Sequence, residues 1–329
     1  MARIVVAPDK FRGSATASEA AAAIGSAARE LGWTVDLAPV SDGGEGFCSV
    51  LGGRLRAVTV RGPLGEPVQS AWFELDGGAS AAIEMAMASG LVLAGGEEAN
   101  DPMRAGTEGV GELIAAAVKA GIRHLLVGMG GSASTDGGWG ALEVLEPRSR
   151  LAGVRIEVAC DVRTRFVDAA AVFAPQKGAT PAQVEMLGRR LERLAQLYQQ
   201  RYGVDVTDLE GAGAAGGLAG GLAALGATLS SGFEIVADRI DLAARIEGAD
   251  LVVTGEGLLD AQSFEGKSVG GVTELAAEFG VPVVVIAGDV DGDHDVDLRT
   301  LVGYAGEAEA WRDPLGLLRR ITFDVLSTR

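Results

Sequence analysis

The sequence predicts an α/β protein with two domains, one of which is discontinuous along the chain. Short β-branched runs recur without polar alternation, which is typical of strands covered by helices on both faces. Helix-start signals separate many of these runs, and 329 residues are about twice the length of a typical domain. The 49 glycines are roughly double the usual share, but the apolar fraction of 48% argues against disorder. A folded protein with many permissive backbone positions is therefore expected.

Continuous apolar runs predict the strands of the parallel sheets. They lie at residues 4–7, 35–38, 125–129, 156–160, 251–254 and 283–287. Capping threonines and terminal glycines predict helices between them. These signals are Thr16 with Glu19 and a stop at Gly32, Thr107 with a stop at Gly121, and Thr180 with Gln183 around Pro181.

Residues 58–84 have a different pattern. They alternate strand-forming and turn residues, which predicts an antiparallel meander. A meander after one βαβ unit indicates a second domain inserted into a Rossmann-like one. We expect the discontinuous domain to comprise residues 1–57 and 250–329, and the inserted α/β domain residues 58–249.

An uncharged, glycine-rich stretch extends from residue 211 to residue 233. Leucines 218, 222, 225 and 229 recur at helical spacing, which favours one face of an amphipathic helix over a membrane span. The G-x-G-x-x-G pattern at 211–216 lacks the βαβ unit that a dinucleotide site needs. Close packing of this helix is the preferred interpretation.

Charge and composition restrict the partners of the protein. A formal charge of −17 disfavours nucleic acid and anionic membranes, since both bind clustered cations. Two cysteines and two histidines are too few for a disulfide framework or a zinc ribbon. The N-terminus has no signal-peptide pattern, so a cytoplasmic protein is expected. Since nucleic acid and membranes are disfavoured, the expected partner is a small-molecule substrate. The oligomeric state is not readable from the sequence.

Acids, glycines and hydroxyls follow the predicted strands. They form loops at residues 9–14, 41–46, 130–138 and 255–257, with Asp161 and Asp289 after two further strands. The carboxyl ends of parallel strands meet at one edge of a sheet, where ligands bind. Acids suit Mg²⁺ and backbone amides suit phosphate, so the loops indicate phosphoryl transfer.

Two local patterns are discounted. Residues 261–268 resemble a P-loop but lack its first glycine and lie too far from the preceding strand. Residues 289–297 resemble a calcium loop but lack its glycine and terminal glutamate.

The strand-end loops carry a resemblance to the bacterial glycerate kinase family that covers most of the chain. Matching blocks lie at residues 7–14, 41–46, 62–67, 83–86, 88–91, 130–138, 157–162, 171–180, 211–217, 254–257, 259–262 and 266–267. The resemblance implies phosphorylation of D-glycerate by ATP, on a discontinuous Rossmann- or flavodoxin-like domain with a second α/β domain inserted. It leaves open whether the 2- or the 3-hydroxyl is phosphorylated.

Residue type and strand-end position suggest roles within these blocks. Asp9 or Asp161 is expected to act on the acceptor hydroxyl, together with the catalytic lysines Lys10 and Lys267. Mg²⁺ is expected at Asp42, Asp136 and Glu256. Substrate and phosphate contacts are expected at Arg12, Ser14, Gly43, Gly44, Gly130, Gly131, Ser132, Ser134, Gln176, Lys177, Gly255, Gly257, Asp260 and Gln262.

Three segments depart from the family pattern. A stretch of a few tens of residues is missing after Leu145, the turn at 163–168 differs, and residues 306–314 replace the usual tail. The alternative hypothesis is therefore a nucleotide- or small-molecule-binding regulatory protein on the same fold.

Overall fold

The computed structural model describes residues 1–264 and 267–328. The chain forms two compact units: a discontinuous unit, Met1–Asp42 with Phe233–Arg329, and an inserted unit, Gly43–Gly232. The inserted unit begins before residue 58, because the helix at Phe47–Leu51 and the strand that starts at Arg54 belong to it, and it ends before residue 249.

Most strands in the described part of the chain belong to two sheets. They are β1 Arg3–Val6, β2 Thr34–Leu37, β3 Arg54–Arg61, β4 Pro67–Leu75, β5 Ser80–Glu84, β6 His124–Gly128, β7 Arg155–Ala159, β8 Thr228–Ser230, β9 Leu251–Thr254, β10 Leu258–Leu259, β11 Val283–Ala287, β12 Asp289–Val290 and β13 Leu298–Thr300.

Helices connect these strands. They are α1 Ala17–Glu30, α2 Phe47–Leu51, α3 Ala86–Ser89, α4 Glu108–Lys119, α5 Trp139–Leu145, α6 Ala169–Phe173, α7 Pro181–Tyr202, α8 Leu218–Ala224, α9 Gly232–Arg239, α10 Leu242–Ile246, α11 Ser268–Glu278, α12 Leu301–Ala305, α13 Glu307–Arg312 and α14 Pro314–Ser327. No helix in the described ranges combines enough length and apolar character to cross a bilayer.

The discontinuous unit is built on a five-stranded parallel sheet in the order β13-β11-β9-β1-β2. Ile4 and Val6 of β1 pack with apolar residues of α1 and α14, which places a core on one face of the sheet. Because β2 lies on one side of β1 and β9 on the other, the strand order reverses between β1 and β9. This reversal is the position where open α/β sheets bind ligands.

The inserted unit contains a six-stranded sheet in the order β3-β4-β5-β6-β7-β8. Strands β3, β4 and β5 are antiparallel, which confirms the predicted meander, and β5 to β8 are parallel. A core that includes Ile83, Val127, Leu187 and Leu222 packs on this sheet. The predicted α/β class with a parallel-dominated sheet in each unit is confirmed.

Of the three predicted helix starts, two have the predicted side-chain cap and one does not. Thr16 and Thr180 form the predicted capping boxes. Thr107 precedes α4, but its hydroxyl donates to Asp136 instead of capping the helix. The leucine spacing was misleading beyond residue 225, because Gly226 adopts a left-handed φ of 102° and Leu229 lies in β8.

Close packing around α8 is confirmed. A Cβ on Gly221 would lie 2.6 Å from the carbonyl oxygen of Gly137, and one on Gly138 would lie 3.1 Å from Cα of Leu218. The glycines at 216–221 therefore allow α8 to contact the backbone of the loop before α5.

Candidate active site

Four charged residues lie at the carboxyl ends of three adjacent strands of the discontinuous unit. Asp9 and Lys10 follow β1, Asp42 follows β2, and Glu256 follows β9. We call these four residues the acid cluster. They lie at the reversal of strand order, where the sequence predicted a site.

Lys10 connects two of the acids. Its Nζ lies 3.0 Å from Oδ1 of Asp42 and 3.5 Å from Oδ1 of Asp9. Burial disfavours the ammonium, but the carboxylates of Asp9 and Asp42 outweigh this effect, so the pKa of Lys10 is raised. Lys10 is a fixed positive charge of the kind that phosphate binds.

Asp9 is a buried carboxylate with occupied oxygens. Its Oδ2 accepts a hydrogen bond of 2.6 Å from Oγ of Ser268, and its Oδ1 accepts one of 2.6 Å from the amide of Lys10. Burial raises the pKa of Asp9, and the charge of Lys10 opposes that shift. Since Ser268 is the first residue of α11, Asp9 ties the loop after β1 to this helix.

Glu256 has the electrostatics of an acid–base group. Its Oε1 is buried, without a hydrogen-bond partner among the described residues. Burial raises the pKa of Glu256 to about 7, whereas Ser263 and the charge of Lys267 act in the opposite direction. A carboxyl group with a pKa near neutrality can accept and return a proton at physiological pH.

The glycines of this edge permit close contact between loops. A Cβ on Gly257 would lie 2.9 Å from the amide nitrogen of Arg12, and one on Gly255 would collide with the carbonyl of Ile286. The amide of Asp9 also donates to the carbonyl oxygen of Gly255 over 2.8 Å. Packing therefore explains these glycines, and their predicted contacts with phosphate stay a prediction.

Several other predicted residues flank the acid cluster. The Arg12 side chain is exposed, whereas Oγ of Ser14 donates to the carbonyl oxygen of Phe11. Asp260 accepts from Ser263 at the 3₁₀ turn Ala261–Phe264, and Oε1 of Gln262 accepts from Lys267 over 3.5 Å. Glu265 and Gly266, the latter in a block of the predicted family pattern, lie outside the described residues.

The inserted unit holds its own group of predicted residues, the loop at 130–138 between β6 and α5, which we call the serine loop. A Cβ on Gly130 would lie 2.5 Å from Cα of Gly44, and one on Gly43 would lie 2.9 Å from the carbonyl oxygen of Ala159. Gly131 is exposed, with a left-handed φ of 73°. The loops at 43–44 and 130–131 thus meet at the carboxyl edge of this sheet.

The remaining predicted residues of the inserted unit differ in exposure. Gln176 is exposed, whereas Lys177 is only 2% exposed and donates 2.7 Å hydrogen bonds to Oγ of Ser132 and the carbonyl oxygen of Ser134. Asp161 follows β7, and its Oδ1 accepts from the amide of Gly232 over 2.8 Å. Lys177 therefore bonds to the serine loop itself, and its contact with substrate or phosphate stays a prediction.

Asp136 is a buried carboxylate whose oxygens accept four hydrogen bonds. Its Oδ2 accepts from the amide and hydroxyl of Thr107 over 3.0 and 2.7 Å and from the amide of Gly140 over 3.1 Å. Its Oδ1 accepts from the amide of Gly138 over 3.0 Å. Asp136 therefore joins the starts of α4 and α5, and its metal role stays a prediction.

Replacing Asp136 with asparagine should destabilise the inserted unit by about 2–4 kcal/mol, because an amide group would point a donor at other donors. Denaturant unfolding measures this loss, with Asp208→Asn as the matched surface control. The Mg²⁺ concentration that half-saturates turnover should stay within about twofold, because four protein donors already occupy the carboxylate of Asp136. Loss of a metal contact worth about 1.4 kcal/mol would instead raise that concentration tenfold. A large rise in that concentration with intact stability would return Asp136 to the metal site.

The described residues show no group of three or more acids, histidines or cysteines close enough to enclose a metal ion. Mg²⁺ usually binds to one or two carboxylates and completes its shell with water and substrate phosphates. Asp42 and the unpartnered oxygen of Glu256 fit that partial ligand set.

Two functional contacts were not predicted. Ser268 bonds to Asp9, and Asn100 bonds to the serine loop. The position of Ser268 directly after Lys267, at a helix start, was the only signal for the first contact. No local pattern identifies the second, because the partners of Asn100 are distant in the sequence.

Comparison with known proteins gives concordant results. The profile of the Glycerate kinase family matches residues 4–148 and 143–302. A glycerate kinase of Bacillus subtilis (strain 168) is 39% identical over 88% of this chain and 86% of its own length. A glycerate 2-kinase of Escherichia coli (strain K12) is 38% identical, with 93% of each chain covered. A crystal structure is known for a protein assigned as glycerate kinase 2 from Salmonella typhimurium LT2, whose sequence is 37% identical to this chain. The two structures superpose with a TM-score of 0.84, which covers 99% of this chain and 98% of the Salmonella chain.

Proposed function

This chain belongs to the glycerate kinase family, and from that premise we propose that it phosphorylates glycerate with ATP, using the acid cluster for the transfer. The observation that carries this proposal is the convergence of Asp9, Lys10, Asp42 and Glu256 at the reversal of strand order. Phosphoryl transfer depends mainly on positioning and charge stabilisation, and these residues supply both. The comparisons favour this kinase over a non-catalytic binding protein.

In the proposed reaction Glu256 is the general base. It accepts the proton of the glycerate hydroxyl while the oxygen attacks the γ-phosphorus and the bond to the leaving ADP oxygen breaks. The raised pKa and the unpartnered Oε1 of Glu256 support this role. Asp9, whose oxygens are occupied, instead positions Lys10 and α11, while Asp161 remains the alternative base.

Lys10 and Lys267 are proposed to bind phosphate oxygens as point charges. With Asp9, Asp42 and Glu256 nearby, the local charge is negative when all three acids ionise, which would repel a polyphosphate. Mg²⁺, held by Asp42, would neutralise charge on the phosphates. Asp42 suits it because carboxylate oxygens are the ligands that Mg²⁺ prefers, and Glu256 is left free of metal so that it can accept the proton.

Turnover is tested by incubating the protein with ATP, Mg²⁺ and D-glycerate and following ADP. We expect glycerate-dependent ADP formation that chelation by EDTA abolishes and added Mg²⁺ restores. Retained ATP binding without turnover would instead support a regulatory binding protein.

We further propose the 2-hydroxyl as the acceptor, by analogy with the E. coli relative named glycerate 2-kinase. A phosphate on C2 couples to one proton and one on C3 to two, so the ³¹P signal of the product should be a doublet. A triplet from the same sample would assign the transfer to the 3-hydroxyl.

A further inference from the structure

Side chains from outside the serine loop hold three of its successive residues. Nζ of Lys177 donates to Oγ of Ser132 and to the carbonyl oxygen of Ser134, each over 2.7 Å. Nδ2 of Asn100 donates to the carbonyl oxygen of Ala133 over 3.1 Å and to that of Lys177 over 2.9 Å. The side chains that hold residues 132–134 are thus one charged group and one neutral amide, which add to the backbone bond from Ala133 to Ser89.

The ammonium of Lys177 is buried without an ion-pair partner among the described residues, since its recorded acceptors are a hydroxyl and a carbonyl. Removing a charge from water is costly unless the interactions that it makes offset the loss. At 2% exposure Lys177 does not present its charge to solvent or to a ligand there. Lys177 can therefore affect substrate binding only through the serine loop, to which it donates its hydrogen bonds.

We propose that Lys177 is a positioning residue whose protonated side chain holds the serine loop in the conformation that binds the substrate anion, so that its deprotonation weakens binding. This inference rests on the proposed function and on the prediction from the sequence that the serine loop contacts substrate or phosphate. It makes the affinity of the enzyme for its substrate dependent on pH.

The electrostatics agree with this geometry. Burial lowers the pKa of Lys177 to about 7, and Asp136 opposes that shift. Asp136 is the charged group of the serine loop, and among the described residues it is the one whose charge acts on Lys177. A neutral amine can still donate hydrogen bonds, but without the strengthening that its charge provides.

The buried polar atoms around the loop make this lysine's charge state consequential. Oγ of Ser134, Oγ1 of Thr135 and Oδ1 of Asn100 have no hydrogen-bond partner among the described residues. The backbone is held separately, because the amide of Ala133 donates to the carbonyl oxygen of Ser89 over 2.9 Å and Ser132 forms a β-bridge with Gly90. A weaker bond from Lys177 would therefore loosen the Ser132 side chain and the Ser134 carbonyl while these backbone bonds remain.

The first test is kinetic and compares two variants. In the native enzyme we expect KM for glycerate to rise about three- to tenfold between pH 6.5 and 8.5, separately from the rise in kcat that ionisation of Glu256 causes over the same range. Lys177→Met should raise KM and remove this pH dependence, whereas Asn100→Ala should raise KM and retain it, because it loosens the same loop without a titrating group. Lys177→Arg should restore part of the affinity at all pH values. A native-like pH profile in Lys177→Met, or a loss in kcat of more than about a hundredfold with unchanged KM, would overturn the proposal.

The second test needs no turnover. The chain contains four lysines, Lys10, Lys119, Lys177 and Lys267, so protein labelled with ¹³C at the lysine ε carbon gives four signals. The signal absent from Lys177→Met should titrate near neutral pH, and addition of glycerate should move its midpoint upward. Titration of that signal near 10 would reject the inference even if the enzyme is active, whereas a neutral midpoint in a protein without turnover would reject only the proposed function.

Discussion

Replacing Glu256 with glutamine is expected to lower kcat about 10²–10⁴-fold while KM for ATP changes little. Loss of a positioned general base has an effect of this size. Glutamine keeps the shape of the side chain but cannot accept the proton. Single-turnover measurement of phosphoglycerate formation checks the chemical step directly, and Glu274→Gln on the exposed face of α11 is the matched control.

The same substitution should stabilise the protein at neutral and alkaline pH. The pKa of Glu256 rises from its ordinary 4.5 to about 7 in the folded protein. The folded state therefore binds more protons than the unfolded state between these values, and the ionised carboxylate costs stability that is fully felt above pH 7. We expect Glu256→Gln to gain roughly 1–3 kcal/mol at pH 8 and almost nothing at pH 4.5, measured by urea denaturation.

If Glu256→Gln is more stable but less active than the native protein, Glu256 has a catalytic role and not a structural one. If Glu256→Gln is instead destabilised and fully active, Glu256 is a packing residue and the base must be sought elsewhere. Asp161→Asn, which keeps the side-chain oxygen near Gly232, is then the next variant to assay.

Replacing Lys10 with methionine is expected to abolish measurable turnover and to destabilise the discontinuous unit by about 2–4 kcal/mol. Removal of one partner from a buried ion pair leaves an uncompensated charge. Here the carboxylates of Asp9 and Asp42 would both lose their counter-ion. Denaturant unfolding and the ADP assay measure the two effects, with Lys119→Met at the exposed end of α4 as the control.

A double variant distinguishes the structural from the functional part of this effect. Lys10→Met with Asp42→Asn removes one of the repelling charges, so about half of the lost stability should return while turnover stays absent. Recovery of activity in the double variant would contradict a phosphate-binding role for Lys10. A loss of activity without any loss of stability would show that the ion pairs with Asp9 and Asp42 do not contribute to folding.

The secondary structure was largely predictable because its signals are local. The runs at 251–254 and 283–287 match β9 and β11, and the capping boxes at Thr16 and Thr180 form as expected. The prediction was wrong at Leu229, where helical leucine spacing continued by coincidence past Gly226. Backbone conformation at a single glycine outweighed the periodic pattern there.

The candidate site was predictable only to the level of its loops. Strand-end position identified Asp9, Asp42, Asp136 and Glu256 as equivalent candidates, because the sequence shows neither burial nor hydrogen-bond partners. Asp136 turned out to be satisfied by donors that include Thr107, 29 residues away. Glu256 kept an oxygen without a partner among the described residues.

The sequence by itself determined the fold class, the interruption of one unit by another and the family, since these depend on hydrophobic periodicity and on short blocks of residues. Only the tertiary structure decided the state of each charged group. It separated the satisfied Asp136 from Glu256 and placed Lys177 inside the serine loop's hydrogen bonds. The physical reason is that desolvation and hydrogen-bond partners, which set a side chain's charge and availability, come from residues far apart in the chain.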